Sequence, residues 1–274
     1  MSTAKIYSDF WEEEASSDNP FSPSACYCAG FNVYEDLLNK VSWVEYLYLM
    51  LVKEAPNKQQ SMLLNALSVA LANPGPRDPS VQAAMSAGAG GSTFASSLIA
   101  AISVGAGNLG GAHEVAITMT CWQQFSTDII LWKSGIAKFK QQYKDKSLRA
   151  DVWLPIEHAP GFDPNGIICP DTIIHTLDYL AALSPNIHLA WLKENRLKME
   201  ELAEAPLSIS GVAAAAFYDL GFEPAQAEML YMLLRLPGAA AHALEQHETG
   251  WQKFPFFSDG LFINKDQIKR HNSL

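Results

Sequence analysis

The chain has 274 residues and a mass of 30.0 kDa; 49% of its residues are apolar and 18% charged, against a globular average of about 25% charged. A chain of this size buries roughly 73% of its unfolded surface, which excludes disorder of the bulk. Its net charge of -10 excludes a general nucleic-acid role, because phosphate binding needs a basic face. No apolar run reaches the length of a membrane span. The start, MSTAKIYSDFWEEEASSDNP, has no apolar signal core, so the expected location is the cytoplasm, away from membranes.

Cys26, Cys28, Cys121 and Cys169 lack zinc-ligand spacing. They read as reduced, buried thiols, and no metal is expected.

In chain order, residues 1–20 read as a solvated arm and the helical pattern begins at Phe31. Ser42, with Glu45 three positions on, predicts a capped helix start before WVEYLYLMLVKEA. Pro56 ends it, and Asn57 opens KQQSMLLNALSVALA, which stops at Asn73-Pro74-Gly75-Pro76. Ser80–Gly111 is rich in Ala, Gly and Ser, so close helix packing at the molecular centre is expected. Residues 112–148 read as helical and 154–171 as a Pro/Gly loop. Further helices are predicted over 171–184, 186–204, 209–220 and 224–247, before an aromatic extended tail. The predicted class is all-α.

Gly105, Gly107 and Gly110 match G-x-G-x-x-G, with Asp128 near the position of a ribose-binding acid. That motif needs a strand before it. The preceding run reads as helix, which favours a plain turn over a dinucleotide site.

At this turn the chain resembles the citrate synthase superfamily, most nearly citryl-CoA lyase and the citrate-synthase-like module of ATP-citrate lyase. GFNVYEDLLNKVSWVEYLYLMLVKEAPNKQQSMLLNAL (30–67) resembles the family's opening stretch. LANPGP (71–76) stands where relatives have A-D-H-G-P, and NLGGAHEV (108–115) where they have L-H-G-G-A-N-E. HAPGFDPNG (158–166) resembles the P-G-F-G-H-P loop. PLSISGVAAAAFYDLGF (206–222) resembles P-N-I-D-G-A-V-A-A, and LLRLPGAAAHALEQ (233–246) the A-R-x-x-G-x-x-A-H-x-x-E-Q helix. The resemblance implies a two-domain helical fold, a homodimer, and a cleft where a carbon–carbon bond is made or broken at a CoA thioester. The expected large domain is 1–113 with 213–274, and the small domain is 114–212.

The family's acid–base set is replaced. Leu109 and Pro74 stand at two histidine positions, Asp163 or Pro164 at the third, and Ser210 at the aspartate. Leucine and proline exchange no proton, and serine is a far weaker base than a carboxylate. Little or no citrate synthase activity is expected. His113, His158, Asp163 and Ser210 are the remaining catalytic candidates, with a His158–Asp163 pair as one arrangement. Each also has a plain structural reading, as a helix-start residue, a loop hydrogen bond or an inert replacement. Glu114 falls on a structural glutamate. Arg235 matches the family's carboxylate-gripping arginine, and it and Asn73 are the substrate-binding candidates. Arg235 lies in an apolar stretch, where an unpaired charge is costly, so it needs an anion from substrate or side chain. His242 reads as structural, and Cys28 and Cys169 lack a neighbouring histidine that would make them nucleophiles.

Lys133, Lys138, Lys140, Lys144, Lys146 and Arg149, with Asp145, make a local +5, leaving -15 for the remainder. This is a solvated face or a dock for CoA phosphates. The function expected is a citryl-CoA lyase-like enzyme acting on a CoA thioester or small carboxylate with an altered acid–base set. The alternative is a non-catalytic homologue that binds an acyl-CoA or organic acid, or scaffolds a partner.

Overall fold

The computed structural model describes residues 5–144 and 158–254. It is mostly helical but not all-α. Residues 5–32, which include most of the arm read over 1–20 and the start of the helical pattern read from Phe31, form a four-stranded antiparallel meander of β1 (Lys5–Tyr7), β2 (Trp11–Ala15), β3 (Pro23–Cys28) and β4 (Phe31–Asn32), in that order. Glu13 lies opposite Cys26, and Tyr27 opposite Asn32. Ala29 and Gly30, both at positive φ, turn β3 into β4, as a two-residue hairpin requires. Along β3, Cys26 and Cys28 are buried while their neighbours are half-buried. Cys28 packs on Leu37 and Leu49, and one short alternating strand beside an acidic run is a weak sequence signal.

A single π-helical turn (Val33–Leu37) leads to α1 (Trp43–Val52). Ser42 and Glu45 form the reciprocal capping box that their spacing predicts. Asn57 and Gln60 repeat the arrangement at the start of α2 (Lys58–Leu71): each backbone N–H donates to the other's side-chain oxygen at 2.9 Å. The helices that follow are α3 (Pro79–Ala89), α4 (Phe94–Gly105), α5 (Ala112–Phe125) and α6 (Ile129–Lys144), then α7 (Asp171–Leu183), α8 (His188–Ala203), α9 (Ile209–Asp219) and α10 (Pro224–Thr249). A helix, α4, precedes the glycine-rich turn, so the strand that a dinucleotide motif needs is missing there. Of the loop read over 154–171, the structure describes 158–170 as irregular; residues 154–157 lie outside the described residues. So does the tail after Phe254.

The chain divides into two compact units: Met1–Leu71 with Ala106–Leu234, and Ala72–Gly105 with Arg235–Leu274. In the first unit α5 packs on α9, whose Ala213, Ala214, Ala215 and Ala216 are all fully buried. α9 is thus the small-residue core of the first unit, and the close helix packing expected of Ser80–Gly111 is the α3–α4 pair of the second. In the second unit α3 and α4 pack together, and Val81, Ala84, Met85 and Ala101 join Ala239, Ala243 and Phe254 in its core. Ile99 and Ile102 stand exposed on the face of α4 turned away from Ala101, and Phe94, also exposed, lies with its ring 4.5 Å from His247. Within α10, Pro237 offers no N–H, and the Gly238 N–H donates to the Ala72 carbonyl at 2.7 Å. A Cβ on Gly238 would come within 2.5 Å of that carbonyl oxygen, so only glycine fits. No helix among the described residues is long and apolar enough to cross a membrane.

Candidate functional site

In the first unit, Glu114 begins α5 as its only first-turn acid and is almost fully buried. Its Oε2 accepts the Gly110 N–H, and its Oε1 accepts the Gly161 N–H at 2.7 Å. Oε1 also lies 3.2 Å from His158 Nε2. This one carboxylate ties the glycine turn before α5 to the 158–166 loop. The loop then pairs with the segment ahead of α9. Ser208 N–H donates to the Gly161 carbonyl at 3.1 Å, and Asp163 N–H to the Pro206 carbonyl at 2.9 Å. Gly161 sits at φ +87°, and a Cβ on Gly211 would stand 2.3 Å from the Gly161 carbonyl oxygen. Both glycines are needed for two backbones to approach so closely.

The arrangement sorts the sequence candidates. His158, whose side chain is 12% exposed, is brought to Glu114 and not to Asp163. The Asp163 carboxylate instead accepts the Asn165 N–H and closes its own turn. Ser210 is fully buried in the first turn of α9, with its Oγ 2.6 Å from Ser208 Oγ. Ser208 is the cap of that helix. His113 stands apart, half-exposed and 3.5 Å from Glu228. Leu109, in the histidine position, is exposed.

In the second unit Arg235 is buried and pairs with Asp78. Asp78 also caps α3 through the Ser80 N–H. The anion that Arg235 needed is thus found in a side chain. Asp78-Pro79-Ser80 is a legible helix start, and that was the available signal for this partner. Asn73 Oδ1 accepts the Gly75 N–H at 3.1 Å and lies 3.1 Å from His242 Nε2.

Burial pushes the Cys169 thiol up to about 11 and the Cys121 thiol to about 12. Cys26 and Cys28 are raised for the same reason. None is a poised thiolate nucleophile. Of the basic cluster, Lys133 and Lys138 are exposed on α6, and Lys140 pairs with Glu204 at 2.9 Å. Lys146 and Arg149 lie outside the described residues. Among the described residues no His, Cys, Asp and Glu side chains cluster as a metal would need.

No family model matches the chain, and no curated protein matches it. Solved structures do. Citryl-CoA lyase from Hydrogenobacter thermophilus superposes with a TM-score of 0.63 at 19% identity, over 88% of each chain. An ATP citrate lyase from Methanosaeta concilii, in complex with (3S)-citryl-CoA, gives 0.63 at 17% identity over 91% of this chain and 42% of that one. Citrate synthase from Thermotoga maritima gives 0.54 at 17% identity, over 75% and 53%. The chain spans about two-fifths of the ATP citrate lyase it matches. It has the citrate synthase-like fold.

Proposed function

We propose that this citrate synthase-like chain makes or breaks a carbon–carbon bond at a CoA thioester or small carboxylate, using the Glu114–His158 pair as its acid–base group. The pair is the observation that carries the reading. A buried carboxylate accepts from Nε2, which leaves the lone pair on Nδ1 to take a proton and return it. Glu114 fixes the tautomer in the way an orienting acid does in other acid–base pairs. Ser210 offers a hydroxyl where the resembling family has a carboxylate, so the histidine replaces that base rather than assisting it. Relatives in fold bind citryl-CoA, citrate and coenzyme A, which supports a CoA ester as the substrate class. Four free cysteines support a reducing, cytoplasmic setting.

The test is turnover of citryl-CoA and a panel of 3-hydroxyacyl-CoA esters, read by mass spectrometry of the CoA products. Cleavage that falls about 100-fold or more in His158→Gln supports the reading, since general acid–base groups contribute about that much. Turnover unchanged in His158→Gln would sink it. Acetyl-CoA with oxaloacetate should release no free CoA above background.

A second reading, a binding protein without catalysis, is favoured by one observation. Arg235, Asp163 and Ser210 already have partners within the chain. Stabilisation by CoA in a thermal shift, with no turnover of any ester, would establish that reading instead.

A further inference from the structure

We propose that Ser126, His188 and Asp219 form a second catalytic site, in which Ser126 attacks small activated acyl esters or thioesters. Ser126 Oγ lies 3.2 Å from His188 Nε2, and His188 Nδ1 lies 2.7 Å from Asp219 Oδ1. This is the order nucleophile, base, orienting acid. All three residues belong to the first unit, on the turn between α5 and α6, at the start of α8 and at the end of α9. No sequence motif links them, and none of them belongs to the Glu114–His158 pair.

The backbone at the serine is the independent observation. Ser126 has φ +43° and ψ -126°. Asp128 N–H donates to the Phe125 carbonyl at 2.9 Å across it. That is the first central position of a type II′ turn, where glycine is the residue expected. A side chain held in such a conformation is strained, and strained serines on sharp turns are how nucleophiles are presented in unrelated hydrolases. Ser126 is exposed, so an ester can reach it.

His188 is fixed from both sides. Its ring stands edge-on to Trp122 at 5.6 Å and to Tyr218 at 4.6 Å, and its side chain is 16% exposed. Asp219 is fully buried, and Oδ1 also accepts the His188 N–H at 3.1 Å. Its Oδ2 accepts the Ser184 hydroxyl at 2.6 Å and the Leu189 N–H at 3.0 Å. With Asp219 as acceptor, the proton sits on Nδ1 and Nε2 is left to take the Ser126 proton. Asp128, the next acid along the turn, is engaged by the N–H groups of Ile130 and Leu131.

In the reaction Ser126 Oγ bonds to the acyl carbon as its proton passes to Nε2. The carbonyl re-forms, the carbon–oxygen or carbon–sulfur bond to the leaving group breaks, and Nε2 gives that proton to the leaving alcohol or thiol. Water then repeats the sequence and frees the carboxylic acid and Ser126. Nothing is oxidised or reduced. The Thr127 N–H, next after the serine, is the oxyanion donor offered by chain position. The open setting of Ser126 suits a small acyl group.

The experiment treats the full chain with a fluorophosphonate and with 4-nitrophenyl acetate. The fluorophosphonate should modify Ser126, located by peptide mass spectrometry, and ester cleavage should show an acylation burst. Ser126→Ala should lose both, and His188→Gln should lower the labelling rate at least 100-fold. Asp219 also holds the start of α8, so Asp219→Asn is judged only alongside an unchanged circular dichroism spectrum. Labelling at another residue, or equal labelling in His188→Gln, would overturn the proposal.

Discussion

Two kinds of side chain in this molecule are held in states that ordinary solvent would not maintain. Ser126 is one, and its cost is measurable. Glycine adopts its backbone angles freely, so Ser126→Gly should raise the melting temperature by roughly 2–4 °C if about 1 kcal/mol of strain is released. Scanning calorimetry checks this, and a lowered melting point would remove the strain argument. The thiols are the other kind. Cys121, at about 12, and Cys169, at about 11, are both pushed up by burial, so both stay protonated at pH 8. Native protein should therefore react with a disulfide dye far more slowly than denatured protein, in which every cysteine becomes titratable. At this scale the sequence was informative where chemistry is local. A buried arginine had to have an anion, and Arg235 has Asp78. The sequence did not reveal that His158 meets Glu114, because that contact spans 44 positions and depends on the loop's path.

Helix ends were the most legible elements, because capping is written in adjacent residues. The Ser42–Glu45 box is one case. Its hydrogen bonds from Ser42, backbone first, hold the Glu45 carboxyl below its ordinary value of 4.5. A depressed carboxyl stabilises the fold fully above its unfolded value, and that contribution disappears as pH falls through the folded one. The melting temperature should therefore drop more steeply between pH 5 and pH 3 in wild type than in Glu45→Gln, which has no proton to take up. Parallel slopes would show that the box is energetically silent. The N-terminal meander was illegible for the converse reason. β2 carries three consecutive glutamates, and its pairing with β3 is decided by burial of Cys26 and Cys28, which no local rule announces.

At the scale of the whole molecule, the low charge and high apolar content find a partial explanation in α9, whose alanines disappear completely into the first unit. The remainder is on view. Ile99 and Ile102 stand exposed on the face of α4 turned away from Ala101, and exposed apolar surface marks contact sites. We propose a homodimer that buries Ile99 and Ile102. Sedimentation velocity at micromolar concentration should show a dimer, and Ile99→Glu should shift it to monomer. A wild-type monomer would rule the assembly out. The mostly helical character followed from helical periodicity along most of the chain. The placement of the candidate sites did not, because each joins segments separated by tens of residues.

The interrupted second unit has a consequence in time. Its core joins Val81, Ala84 and Ala101 to Ala239, Ala243 and Phe254. During synthesis the α3–α4 pair leaves the ribosome long before its partners exist. The gap from Gly105 to Arg235 is 130 positions, and at a translation rate of about 5–20 residues per second it lasts roughly 7–26 s. For that interval a nascent chain carries an apolar hairpin with no core to enter. The wait belongs to chain order rather than to stability, so substitutions that strengthen the finished protein leave it unchanged. A circular permutant that brings 235–254 next to 72–105 would shorten it.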